Sequence, residues 1–196
     1  MTEFSRFDQA IRKFDEANSR DPNTETVNGQ PRPRELVYAD WLTDWVMRLN
    51  PSASEALRLA ARCQHICRWE IPRNSYPVTK PGYLLWRADL KKFHAQKAGE
   101  ILKEVGYDDE TTRRVQELNL KKHISTDAEC QTLEDALCLV FLQHQLAPLA
   151  AKSEDEKVIN ALQKSWKKMS DQGRAEALKL NYGAREKGLI EKALAP

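Results

Sequence analysis

An all-α helical bundle is the fold class predicted for this 196-residue chain, on three observations. Apolar residues recur at helical spacing through most segments, glycine is scarce at seven residues, and no strand–helix–strand rhythm occurs. Hydrophobic residues make up 41% and charged residues 31%, a balance that suits a helix-rich globule and argues against a disordered chain. The chain reads as one helical domain over 1–196, with a core to about residue 150 and a helical extension over 151–196.

The elements follow in order. Phe4, Phe7, Ile11 and Phe14 give a first amphipathic helix ending near Ser19. DPNTETVNGQPRP then reads as a long polar loop, and compact domains seldom keep such loops without a use for them. A second helix runs from about Glu35 to Leu49 and is broken by Asn50-Pro51. Ser52 caps a third, with Glu55 completing a capping box, and that helix is expected to reach Trp69 before Pro72. IPRNSYPVTKPG is a second loop. A fourth helix spans about Tyr83 to Val105, closed by Gly106. A fifth opens at Asp108 and runs through about Lys122. LEDALCLVFLQHQ is apolar nearly all round and belongs in the centre of the bundle. Three short helices, over about 154–170, 172–181 and 184–194, fold back across it.

Composition excludes several roles. A net charge of +2 creates no global field for nucleic acid or membrane, so any such role needs a local patch. No run approaches a membrane span, and the N-terminal MTEFSRFDQAIRKF lacks the apolar core of a signal peptide, so the expected address is cytoplasmic with no membrane partner. Cys63, Cys67, Cys130 and Cys138 form no disulfide scaffold and are expected as reduced thiols. Cys63 and Cys67 have the i, i+4 spacing of a zinc pair, but no second pair exists and His65 points away from both. The charge runs KSWKKMSDQGR and LKKHIS read as solvated faces.

Three polar residues stand out against the apolar stripes. On the third helix Ala56, Leu59, Ala60, Cys63, Ile66 and Cys67 share one side, while His65 lies nearly opposite, beside Arg58, Arg62, Arg68 and Trp69. On the fourth, Leu90, His94, Ala98, Ile101 and Val105 form a stripe, so His94 is inside, with Arg87 and Lys91 on nearly the same face. Asp135 stands in the most apolar helix, where an unpaired carboxylate is costly. Ordinary packing accounts for each alone: a satisfied core histidine, a solvated helix face, an aspartate tying two helices together. Two histidines and an aspartate on three core-forming helices, flanked by Arg73, Arg87, Lys121 and Lys122, are also how a bundle builds an anion or phosphoester pocket.

Several stretches carry a family likeness: PRELVYADWLTDWVMRLNPSASEALRLAARCQHICRWEIPRNSYPVTKPGYLLWRADLKKFHAQKAGEIL, QTLEDALCLVFLQHQ and SWKKMSDQGRAEAL. They resemble a family called domain of unknown function 4202, found in bacteria and fungi, whose members are often labelled glutamyl-tRNA synthetase. The label does not suit this chain. KMS at Lys168 to Ser170 stands alone in a helical tail, and no glycine-rich nucleotide-binding unit occurs. A more distant resemblance is to the HD-domain phosphohydrolases, all-α metalloenzymes. It would place His65 at the histidine of the His-Asp pair, His94 on the following helix and Asp135 as the last aspartate. Ile66 stands where the paired aspartate belongs, and Tyr38 falls about where the first histidine would be.

The resemblance implies an HD-like protein that acts on a phosphorylated or nucleotide-like small molecule, with hydrolysis as the reaction. His65, His94 and Asp135 form the expected catalytic set, and they are the ligands if a divalent metal ion binds. With Ile66 in place of the aspartate, divalent-ion binding is expected to be weak or absent, and a tightly held ion would imply that Glu35, Asp15 or another carboxylate supplies the missing ligand. Without metal, His94 or His65 acts as general base oriented by Asp135. Arg68, Arg73, Arg87, Lys91 and Lys122 are expected to hold phosphate oxygens, and Tyr76 and Tyr83 to line the substrate. Trp69 and Trp86 either stack on a base or fasten the loop to the bundle. The alternative is a non-catalytic module for RNA or a protein partner, since arginines interleaved with aromatics also clamp single strands.

Overall fold

A computed structural model of the chain describes residues 4–122, 124 and 126–195. Ten α-helices occur among them, with one two-stranded hairpin, so the all-α expectation holds. His123 and Ser125 of the LKKHIS run lie outside the described residues.

Helix α1 (Arg6–Asn18) starts where the Ser5 hydroxyl accepts the Asp8 amide, and it buries Ala10 and Phe14. Phe4 stays outside the helix and exposed, with Arg12 over its ring. The polar segment that follows is a hairpin rather than a loop. Strands β1 (Thr24–Val27) and β2 (Gln30–Pro33) pair antiparallel. Asn28 and Gly29, at φ 52° and 77°, make the tight turn that matches strand twist. The hairpin feeds α2 (Arg34–Leu49), whose N-cap Pro33 has no side chain to offer. Asp21 supplies the missing acceptor, taking the Glu35 amide at 3.0 Å.

Helix α3 (Glu55–Cys63) is capped by Ser54 and ends six residues before the expected Trp69. No glycine or proline stops it. The Cys67 amide is instead taken by the Asn18 side chain at 3.0 Å, and Cys67 adopts left-handed backbone at φ 51°. Residues 64–67 therefore form a turn, followed by short 3₁₀ turns at Arg68–Glu70 and Arg73–Ser75. Arg62 binds α3 to α1 and α2 through Asp15 (2.5 Å) and Asp40 (2.6 Å).

Helix α4 (Lys80–Glu104) begins earlier than expected, because Thr79 caps it and Pro81 is tolerated in the first turn. It packs along α5 (Asp109–Leu120). Helix α6 (Ala128–Val140) lies against α2, α3, α8 and α9 and buries Leu133, Ala136, Leu139 and Val140, as expected for the central helix. It opens into a π-helical segment at Phe141–Gln145 and then α7 (Leu146–Lys152). Helices α8 (Asp155–Lys168), α9 (Asp171–Leu178) and α10 (Ala184–Leu194) fold back, α8 and α9 against α6 and α10 against α7 and α8. No helix of the described residues is long and apolar enough to cross a membrane. The four cysteines are buried and unbridged.

Candidate anion-binding site

A cavity of about 450 Å³ opens where α2, the turn after α3, α4, the end of α5, α6 and α8 meet. Its size falls within the range of small-molecule sites. The first turn of α2 contributes Arg34, Glu35 and Tyr38. The turn after α3 adds His65 and Arg68. Tyr83, Arg87, Lys91 and His94 recur every three or four residues along α4 and present one face to the space. The far wall is Lys121 at the end of α5, Glu134 of α6 and Lys168 of α8.

His94 is 2% exposed. Its Nδ1 lies 2.8 Å from the Ile66 carbonyl oxygen, which can only accept, so the proton sits on Nδ1 and Nε2 carries a lone pair. That Nε2 is buried and has no hydrogen-bond partner. The His65 ring stacks on Tyr38 (centroids 4.1 Å apart, 22° between planes) and stands 5.8 Å from the His94 ring. His65 Nδ1 is 3.4 Å from Oε2 of Glu35, and Arg68 Nε is 3.9 Å from its Oε1.

Burial dominates the electrostatics. It pushes the Glu35 carboxyl up from 4.5 to about 7, against the pull of Arg68. Burial also holds both imidazoles well below the usual histidine range. The positive charges of Arg68, Arg87 and Lys121 reinforce it at His65; at His94, His65 adds to it and the Ile66 bond opposes it. Burial likewise raises the Tyr38 hydroxyl, with Glu35 adding to it. Both rings are therefore neutral near pH 7.

Six basic side chains line the cavity against two carboxylates. Glu134 is bound to Lys121 and, at 3.3 Å, to Lys168. Burial works to raise its carboxyl, yet those lysines hold it below the usual range. Among the described residues, the side chains of Arg34, Arg87 and Lys91 have neither a hydrogen bond nor an ion pair within 4.0 Å. Burial and the nearby Lys121 and Arg87 depress the Lys91 ammonium.

A family model described as "Domain of unknown function (DUF4202)" matches residues 8–190. The chain belongs to this family. No curated protein and no solved structure matches it.

In this DUF4202 chain, His65, His94, Arg68, Tyr83, Arg87 and Lys91 come together as the sequence suggests. His65 arrives by an unexpected route: with α3 ended at Cys63, it is not on a solvated helix face but turned inward. Asp135 does not join them. Its Oδ1 accepts from the Ser170 amide (2.8 Å) and Gln131 (2.9 Å), and its Oδ2 from the Ser170 hydroxyl. A Cβ on Gly173 would fall 2.7 Å from the Asp135 carboxyl carbon, so α9 seats here only through glycine. Asp135 is a tie between helices. Arg73 also lies apart, donating to the carbonyls of Tyr76 (3.0 Å) and Pro77 (2.8 Å), and Tyr76 donates to Asp89 (3.0 Å). Trp86 donates to the Ile71 carbonyl at 2.9 Å and fastens the same loop. Lys122 faces a different groove, between α4 and α5; its neighbour Lys121, left-handed at φ 58°, turns into the cavity.

The HD-type metal set does not fit. Asp135 is engaged elsewhere, Ile66 is core, and Asp15 is paired with Arg62. Among the described residues, no three histidines, cysteines or acids are grouped to hold an ion. The excess of basic side chains also repels a hard cation. Arg34, Tyr38, Glu134 and Lys168 were missed by sequence reasoning. Of these, only Tyr38 carried a signal, through its place in the HD pattern.

Proposed function

We propose that the cavity binds a phosphorylated or nucleotide-like small molecule and that His94 acts as general base in its hydrolysis. The observation that supports this best is the unpartnered Nε2 of His94 in a cavity where Arg87 and Lys91 make no hydrogen bond or ion pair within 4.0 Å among the described residues. Like charges gathered on one cavity wall repel one another, and an anionic ligand supplies the counter-charge. A neutral imidazole with its tautomer fixed by a backbone carbonyl takes the proton of an attacking water through Nε2. The arginines meanwhile neutralise charge on the phosphoryl oxygens. The distant likeness to HD phosphohydrolases agrees in reaction class, without their metal set.

Two measurements test this. Calorimetric titration with inorganic phosphate is expected to show binding that Arg87→Gln weakens about ten- to a hundredfold. A panel of phosphate esters and nucleotides is expected to release phosphate with the wild type and not with His94→Gln. Binding without release in every case would reduce the protein to an anion-binding module. No binding of phosphate or any ester would end the proposal.

A further inference from the structure

The basic side chains of the cavity fall into two groups, each gathered round one buried carboxylate. Arg68 lies 3.9 Å from Glu35, the charge of Arg34 also reaches that carboxyl, and Arg87 lies within electrostatic reach of Arg68 and both histidines. Lys91, Lys121 and Lys168 stand on the side of Glu134, which binds the last two directly. Each group thus sets three positive charges against at most one negative charge. Each keeps an excess of about two, the charge of one phosphoryl group. Lysine and arginine also separate by chemistry. The arginines lie by the histidines, where a planar donor pair grips the group that reacts, and Lys91, one turn from Arg87 on α4, lies within electrostatic reach of Lys121, Lys168 and Glu134.

We infer that the ligand carries two anionic groups, a diphosphate or a bis-anion of similar span, one held by the arginines beside His94 and the other by the lysines around Glu134. This rests on the phosphate reading of the same cavity and goes beyond it in naming the ligand's charge pattern. A lone phosphate fills the arginine side and leaves the lysine side uncompensated. Lys91 marks the second subsite most clearly: it is partly buried, lines the cavity, and has no carboxylate within 4.0 Å among the described residues. Lys121 and Lys168 do join α5 and α8 to α6, but one carboxylate between two ammoniums leaves charge over.

The test compares inorganic phosphate with pyrophosphate by calorimetry at matched ionic strength. Pyrophosphate is expected to bind at least about tenfold tighter than phosphate, since a second set of charge-assisted hydrogen bonds forms. Lys91→Gln is expected to bring that ratio down to about threefold or less, a gap of about 0.7 kcal/mol. Lys122→Gln, next to the cavity but facing the other groove, controls for general charge and is expected to leave the ratio as in the wild type. Thermal melts of both variants verify the fold. Equal affinity for the two anions, or a ratio that Lys91→Gln does not move, would overturn the inference while leaving the phosphate site standing. A ratio that falls as much in Lys122→Gln would place the second anion on the outer surface and also overturn it. If neither anion binds, the phosphate reading fails and this inference with it.

Discussion

His94 and Ile66 are joined side chain to backbone: the ring Nδ1–H donates to the Ile66 carbonyl oxygen at 2.8 Å. The apolar side chain of Ile66 fills the core and its peptide carbonyl orients the histidine. The bond decides which nitrogen is free. It leaves Nε2 as a lone-pair acceptor.

Replacing that acceptor has a kinetic consequence. His94→Gln keeps a donor near the Ile66 carbonyl and removes the base, so hydrolysis is expected to fall roughly 10²–10⁴-fold, with ligand affinity far less affected. Stability carries a second readout. Burial lowers the folded-state pKa of His94 below its ordinary 6.5, so below that pH the unfolded chain binds more protons than the folded one. Wild-type stability is therefore expected to fall as pH drops from 6.5. Denaturant melts should give a shallower acid limb for His94→Gln.

Glu35 works in the other direction. Its folded-state carboxyl titrates near 7 against an ordinary 4.5, so the folded chain binds more protons between those values. Stability contributed by the protonated form is present below 4.5 and lost as pH rises through 7. Glu35→Gln is expected to match the wild type near about pH 4 and to exceed it near about pH 8, by at most on the order of 3 kcal/mol. Urea denaturation at the two pH values checks this; a variant less stable at the higher pH would show that the carboxylate is held by attraction rather than merely buried.

Asp135→Ala removes three hydrogen bonds at the junction of α6 and α9. A loss of about 2–4 kcal/mol in stability is expected, with phosphate affinity nearly unchanged in the folded fraction. A matched set of melting curves and titrations separates the two effects.

Arg73→Ala frees the part-buried Tyr76 carbonyl and the exposed Pro77 carbonyl. The expected outcome is faster proteolytic cleavage in the 71–79 loop at unchanged phosphate affinity. An affinity loss of tenfold or more would return Arg73 to the ligand.

Legibility followed how local each cause was. The stripe through Leu90, His94 and Ala98 depends only on helical period, and it put His94 inside, with Arg87 and Lys91 beside it. Asn28-Gly29 was a legible hairpin signal that the prolines around it obscured, and so the hairpin was expected as a loop. The end of α3 was not legible. Asn18, 49 positions away, takes the Cys67 amide, and nothing in RCQHICRW announces that partner. Asp135 and Glu134 were equally buried acids on one helix, about 100° apart in direction. One faces Ser170 and the other the cavity, a distinction set by where α8 and α9 dock.

Lys168, Ser165 and Ala161 belong to α8, so one wall of the cavity is made late in the chain. The ion pair of Lys168 with Glu134 fastens that wall to α6, so a cavity lined mainly by α2, α4 and α6 is closed by a helix that follows all of them in the chain.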